Sequence, residues 1–387
     1  MMRESGPGFG RLRVYSGGPM DLGEQPSGGG ARTPMDLAQL PLVSYRPRSR
    51  LQNRQTHVPA AYFARIDAHG HLGRWLTRGR WAIEDVTDLL SVMDACNIAA
   101  IVNLDGRWGD ELTANLERYD CAYPGRFFTF CHVDWSVLQN SATCEKALVH
   151  GLEQSVRVGA SGLKVWKDLG LSVRDTDNKF VLPDDARLDA LWDAAGRLGI
   201  PVAIHTADPL AFFDPVNNHN ERLEQLLAHP EWSYYSPIYP KFERLITSLE
   251  NVVAAHPLTT FIGLHVGCYA ENLEWVSRML ERYDNFYIDI AARIAELGRQ
   301  PRATRELVLR HPHRVIFGTD RIPPDKETYK IYFRFLESDD ESFDYSRFDP
   351  PPAGRWAISG INLPVHVLRR VYYGNISQIL GLEAHQS

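Results

Sequence analysis

The sequence predicts a closed barrel of eight parallel strands alternating with helices, a (β/α)8 TIM barrel. A flexible N-terminal extension precedes it and a helical, irregular C-terminal appendage follows. Three observations carry this prediction. Eight short apolar runs recur from about residue 62, amphipathic helical patterns lie between them, and potential metal ligands stand at the ends of four runs. Alternating strands and helices build either an open doubly wound sheet or a barrel. In a barrel the C-terminal strand ends open on one face, so these ligands converge. An open sheet would string them along an edge.

The elements follow in order. Residues 1–55 hold Gly17-Gly18-Pro19, Gly28-Gly29-Gly30 and scattered arginines without a sustained period. Such a composition buries too little apolar surface to order itself, so we expect a flexible extension, with Met20 and Met35 as alternative translation starts. Residues 56–387 are expected to form one barrel domain. Its strands are predicted at Phe63–Asp67, Ala99–Leu104, Phe127–Val133, Gly162–Trp166, Val202–His205, Phe261–Val266, Phe286–Ile290 and Val315–Phe317. Their richness in Val, Ile and Phe suits strands covered on both faces. Helices are predicted at Ile83–Asn97, Asp185–Leu198, Phe242–Ala255, Leu273–Tyr283 and Thr304–Arg310, with Gly199 and Pro201 as stop signals after the second. The long insertion Asp208–Tyr239 is expected to cap a pocket. Arg334–Trp356, aromatic and proline-rich, falls outside the barrel pattern and is expected beside the barrel mouth or against a second subunit.

Composition narrows the function. The chain has 387 residues, with 42 basic and 48 acidic residues, a net charge of −6. That balance argues against nucleic acid and anionic membranes as partners. No apolar stretch is long enough for a transmembrane helix. The five cysteines form no Cys-x-x-Cys pair, and with no signal-peptide core in the N-terminus we expect a cytoplasmic protein. Phosphate-binding and dinucleotide-binding glycine motifs are absent, as is the Gly-x-Ser-x-Gly elbow.

The chemistry gathers at strand ends: Asp67-Ala68-His69-Gly70-His71, Ile204-His205, Gly263-Leu264-His265 and Gly318-Thr319-Asp320. On an extended segment residues i and i+2 face one side, so His69 and His71 can bind one ion together. Imidazole with a carboxylate suits zinc and iron. A single histidine after an apolar run is more often a hydrogen-bonded core residue; four sites at the ends of the right strands are another matter.

These motifs, with Gly162-Leu163-Lys164 and the closing Tyr372-Tyr373-Gly374-Asn375-Ile376, resemble the amidohydrolase superfamily. The likeness is to the amidohydrolase-related branch that includes aminocarboxymuconate-semialdehyde decarboxylase, and it runs from about Arg65 to Leu382. It implies that His69, His71, His205 and Asp320 hold one divalent ion, typically zinc, while His265 acts as general acid/base or as an electrostatic clamp beside the metal and Asp320 also moves protons. In binuclear members a strand-four lysine bridges two metals. Lys164 takes that place, and His205 and His265 would then bind the second ion; the alternative is a salt-bridged lysine. Homodimers are common in the branch.

Other candidates come from position. His132 points toward substrate or pairs with Asp134 to orient a ligand histidine. Asp289 is placed to support a ligand. Arg293 and Arg321 are candidates to bind a substrate carboxylate or to form surface salt bridges, and Trp166, with Trp135 and Phe212, to wall a pocket for a small ring-bearing molecule or to pack the barrel rim. The first reading is metal-dependent hydrolysis of an amide, ester or lactone. Two alternatives stay open: non-oxidative decarboxylation at the same mononuclear site, and oxygen chemistry at a two-iron site that uses Lys164 or His132.

Overall fold

The computed structural model describes residues 39–61, 63–139 and 143–382. The described residues divide between Arg48 and Ser49 into two units. In the first, the described residues contain a short turn of helix at Leu42–Ser44. Of the extension expected over residues 1–55, residues 1–38 lie outside the described ones. Near its end, the Thr56 amide and hydroxyl donate to the two oxygens of Asp340 at 2.6 and 2.7 Å.

The second unit is the barrel. Its strands are β1 (Arg65–Gly70), β2 (Ile98–Asn103), β3 (Phe127–Cys131), β4 (Gly162–Val165), β5 (Val202–Ile204), β6 (Phe261–Gly263), β7 (Phe286–Asp289) and β8 (Val315–Ile316). They pair in sequence order, and every pair is parallel. A helix follows each strand: α1 (Val86–Ala95), α2 (Gly109–Leu116), α3 (Cys144–Val158), α4 (Asp189–Leu198), α5 (Phe242–Ala255), α6 (Leu273–Arg282), α7 (Pro301–Arg310) and α8 (Lys326–Glu337). No described helix is long and apolar enough to cross a membrane.

Local signals set the helix ends. Asp85 caps α1 by accepting from the Thr87 amide, Pro301 opens α7, and α4 ends on Gly199 in the left-handed conformation. Alternation sorts the strand residues. Leu163 and Val165 pack with the helices, including the fully buried Trp192 of α4. Ala203, Ile262 and Ile316 belong to a separate inner cluster, closed by Ile376 with Ile379 and Leu380 against it. Lys164, between Leu163 and Val165, therefore faces the barrel interior.

Several strands differ from expectation at their ends. The first lies at Arg65–Gly70 rather than Phe63–Asp67, because pairing to β2 continues through the polar ligand segment as far as Gly70. The sixth stops at Gly263 instead of Val266. There the backbone turns left-handed, with φ of 56°, 62°, 64° and 61° at His265, Val266, Gly267 and Cys268. Hydrophobicity alone does not reveal such a turn, since Val is ordinarily a strand residue.

The seam between β8 and β1 is closed by two backbone hydrogen bonds, Ala68 N to Phe317 O at 3.0 Å and Asp320 N to His69 O at 2.9 Å. Buried Asp67 reinforces it. Its carboxylate accepts from the Thr319 amide at 3.0 Å, the Thr319 hydroxyl at 2.7 Å and the Tyr329 hydroxyl of α8 at 2.9 Å. The strands approach so closely that a Cβ on Gly318 would lie 2.9 Å from the His69 Cβ. Replacing Asp67 by Ala orphans four buried donors, the three above and the His69 amide at 3.2 Å, so we expect a loss of about 3 kcal/mol or more in chemical denaturation. Asp67→Asn, which keeps an acceptor, should lose less.

Candidate metal centre and substrate pocket

The strand ends bring the predicted ligands into one cluster. Atoms of His69, His265 and Asp320 lie within 4.8 Å of one another. Asp320 Oδ1 is 3.5 Å from His69 Nε2 and 3.1 Å from His71 Nε2, and its Oδ2 is 4.0 Å from His265 Nε2. The ring centroids of His205 and His265 are 4.4 Å apart, and His205 Nε2 lies 3.4 Å from Asp208 Oδ1. All five residues expected from the sequence thus meet, with His265 in the tight trio.

One carboxylate positions two of that trio. Asp289 Oδ2 takes the Nδ1 proton of His69 at 2.6 Å, and Oδ1 accepts the His265 amide at 2.6 Å. The role expected of Asp289, supporting a ligand, is what its contacts fit. His265 in turn donates Nδ1–H to the Ala291 carbonyl at 2.9 Å. In both histidines the Nδ1 proton is fixed, which leaves the Nε2 lone pair for the cluster. His69 Nε2, His71 Nδ1 and His205 Nε2 are buried without a hydrogen-bond partner among the described residues. Buried lone pairs of this kind, together with a carboxylate oxygen, form a donor set that fits a divalent ion.

Electrostatics agrees with that donor set. Burial pushes the His71 imidazole down to about 4 and that of His205 down to about 3, so both are neutral near pH 7. Burial opposes ionisation of Asp320, but His69, His71 and Lys164 outweigh it and hold its carboxyl below the usual range.

The cluster lies in a cavity of about 510 Å³ that includes Trp166, Phe212, Trp232, Arg293, Arg321 and Tyr332 in its lining. The Trp166 ring stands 4.8 Å from that of His71. The insertion after β5 contributes Phe212 and Trp232 to the wall, and the segment after α8 contributes Tyr345 and Phe348. Arg355 grips Glu224 with two 2.7 Å hydrogen bonds and fastens these two excursions together. Arg293 is 7% exposed. Its guanidinium donates to the adjacent Ala292 carbonyl at 2.9 Å, and it forms no ion pair among the described residues.

Two candidates line a second cavity beside the cluster. His132 lines a separate cavity of about 170 Å³ with Arg107, Asp134 and Trp135. Its Nε2 lies 2.9 Å from the Leu104 carbonyl and 3.0 Å from the Trp166 indole N–H, and its Nδ1 faces Arg107 at 3.2 Å. His132 thus reaches the main pocket only through Trp166, which lines both cavities, and Asp134 accepts from Ser136 instead of bracing a ligand. Alternation placed these residues correctly on one side of the chain but could not say which cavity they enter. Lys164 also lines this smaller cavity. Its Nζ is buried with no hydrogen-bond partner among the described residues, and burial lowers its amine to about 8. Arg222 escaped the sequence reading. It is a buried arginine of the insertion, paired with Glu296, and no local pattern marks it.

The amidohydrolase family model matches residues 66–382, and the chain belongs to that family. No curated protein matches the sequence. Among solved structures the chain is similar to 2,6-dihydroxybenzoate decarboxylase from Rhizobium, at 14% identity and a TM-score of 0.52, over 83% of this chain and 100% of that one. It is also similar to a dihydroxybenzoic acid decarboxylase from Polaromonas sp. JS666 with bound manganese and 2-nitroresorcinol, at 14% identity and a TM-score of 0.52, over 84% and 98%. A putative amidohydrolase from Staphylococcus aureus matches at 16% identity and 0.51, over 83% and 100%. These likenesses establish the fold. Membership of the amidohydrolase family, with the clustered ligands, makes the protein a metal-dependent enzyme.

Two outcomes follow for the centre. Asp289→Asn should weaken metal affinity by roughly 10- to 100-fold in chelator competition, since it disturbs the support of a ligand. The folded pKa values of His71 and His205 lie below the unfolded value near 6.5, so the folded state of the metal-free protein binds fewer protons. Its stability should therefore fall as pH drops from about 6.5 toward 4, by up to roughly 1.4 kcal/mol per pH unit for each histidine. Denaturation at several pH values measures this slope, and His71→Asn should reduce it.

Proposed function

We propose that this amidohydrolase-family enzyme is a metal-dependent, non-oxidative decarboxylase of a small aromatic carboxylic acid. The observation that carries the reading is Arg293, a buried guanidinium without an ion-pair partner among the described residues, in an aromatic-walled cavity shared with His265 and Asp320. Glu296 and Glu271 act on this guanidinium from beyond ion-pair distance, no carboxylate among the described residues contacts it directly, and it can therefore still pair an anionic ligand, while the aromatic walls favour a ring. Relatives of the same fold that are named for their activity act on dihydroxybenzoic acids, which supports decarboxylation over hydrolysis, the first reading of the sequence.

In the reaction the bond between ring and carboxyl carbon breaks. Its electron pair stays on the ring carbon, a proton takes the vacated position, and carbon dioxide leaves. Arg293 orients the acid group. Asp320 and His265, with 4.0 Å between Oδ2 and Nε2, hold and deliver the proton. Trp166, Phe212 and Trp232 keep the ring in place and water out. A divalent ion held by His69, His71, His205 and Asp320 would supply positive charge to draw electron density from substrate oxygens and would leave the His265 Nε2 free for the proton. Zinc suits the ligand types, and one relative carries manganese.

The test is anaerobic incubation with a panel of hydroxybenzoic acids, with evolved carbon dioxide measured against acid consumed, alongside elemental analysis of the protein. We expect one carbon dioxide per acid and about one divalent ion per chain. His265→Asn should lower kcat by roughly 10²- to 10⁴-fold with circular dichroism unchanged. Turnover of an ester or amide without carbon dioxide from any acid would return hydrolysis to first place.

A further inference from the structure

We propose that the hydroxyl of Tyr332 is a positioning group for proton transfer, and that it sets the approach of His265 to Asp320 through two peptide units. This rests on reading those two residues as the ones that hold and deliver the proton. Tyr332 acts on the backbone that holds each of them.

Its place follows from the helix. Tyr329 and Tyr332 stand three apart on α8, so they leave it on one face. Both are buried. The Tyr332 ring packs edge-on against Phe317 at 5.9 Å, and burial raises the pKa of its hydroxyl, which keeps its proton. Tyr329 reaches Asp67 at the seam. Tyr332 instead reaches two tight turns, one after β7 and one after β8. Each turn puts a non-glycine residue in the left-handed region, Ala292 with φ of 53° and Asp320 with φ of 58°. That region is unfavourable for such residues, so both turns need anchors.

The anchors form one chain of hydrogen bonds. The peptide between Ala291 and Ala292 is held at both ends. Its carbonyl accepts His265 Nδ1–H at 2.9 Å, and its N–H donates to the Tyr332 hydroxyl at 2.9 Å. The hydroxyl donates in turn to the Thr319 carbonyl at 3.3 Å. That carbonyl belongs to the peptide whose N–H, on Asp320, donates to the His69 carbonyl at 2.9 Å. The path thus runs from the His265 ring to the Asp320 backbone through one hydroxyl, and each bond polarises the next. Two orientations depend on it. The Ala291 carbonyl keeps the His265 proton on Nδ1 and leaves the Nε2 lone pair for Asp320 Oδ2, 4.0 Å away. The Thr319 carbonyl fixes the peptide plane from which Asp320 departs. Removing the hydroxyl strips the Ala292 amide of its acceptor and lets the two peptides turn independently. Arg293 has its own anchor, the bond from its guanidinium to the Ala292 carbonyl at 2.9 Å.

The experiment compares the zinc-loaded full chain with Tyr332→Phe, which keeps the ring and removes only the hydroxyl. Nuclear magnetic resonance of isotopically labelled histidine rings reports the tautomer, with His265 assigned by the signals lost in His265→Asn. In the unmodified chain His265 should carry its proton on Nδ1, a measurement that needs no variant to fold. In Tyr332→Phe that proton should exchange with solvent at least about tenfold faster. Turnover should show kcat lower by about tenfold, KM within about threefold and an unchanged metal content. In the His265→Asn background the same substitution should cost less than about twofold, because the group it positions is gone. An equal loss in both backgrounds marks a merely structural tyrosine and overturns the proposal. So does an unmodified chain with His265 protonated on Nε2, or a Tyr332→Phe variant with unchanged kcat. No carbon dioxide from any acid, with His265 exchange still governed by Tyr332, rejects the decarboxylase reading and leaves the positioning role standing. Carbon dioxide release with kcat and His265 exchange unchanged in Tyr332→Phe does the reverse.

Discussion

A barrel with a site on its axis depends on its last strand meeting its first, and here that seam is held by a buried carboxylate. Asp67 binds Thr319 through both amide and hydroxyl and reaches Tyr329 of α8. Two residues beyond Asp67 stands His69, and one beyond Thr319 stands Asp320. The bond from Asp320 N to His69 O makes them neighbours across 251 residues of chain, the difference 320 − 69. The carboxylate is costly to bury, and its hydrogen bonds offset that cost only when the barrel is closed. Closure and assembly of the centre are thus one event.

A second buried carboxylate, Asp289, works at the next strand over. Its two oxygens fix His69 through the ring and His265 through the backbone. The left-handed run from His265 to Cys268 would cost on the order of 1–2 kcal/mol per non-glycine residue if left unsupported. The Asp289 and Ala291 acceptors that hold His265 offset part of this. What the strain achieves is direction: it aims the His265 Nε2 at Asp320 and away from the path a continuing strand would take.

Around this rigid floor the pocket is built from the least regular parts of the chain. The excursions after β5 and after α8 supply aromatic walls and arginines, and they are bound to one another by Arg355–Glu224 and to the barrel's end by Arg222–Glu296. The division is physical. Strand ends fix the chemistry to fractions of an ångström, while the excursions, free of the barrel's spacing, set which molecule fits.

The same division separates what was legible in the sequence from what was not. Strand number and order and the gathering of His69, His71, His205, His265 and Asp320 follow from periodicity and from ligands at run ends, because a parallel barrel brings every strand end to one face, whereas the inward side of Lys164 came only with the packing of Leu163 and Val165 against the helices. The supporting role of Asp289 was legible for the same reason. The tertiary structure alone decided that His132 enters a separate cavity, that β6 ends in a left-handed turn, and that Arg222, Arg321 and Arg347 meet particular carboxylates. Each depends on backbone turns or on partners dozens of residues away, and local hydrophobic pattern carries no record of a contact whose energy exists only after the chain has closed on itself.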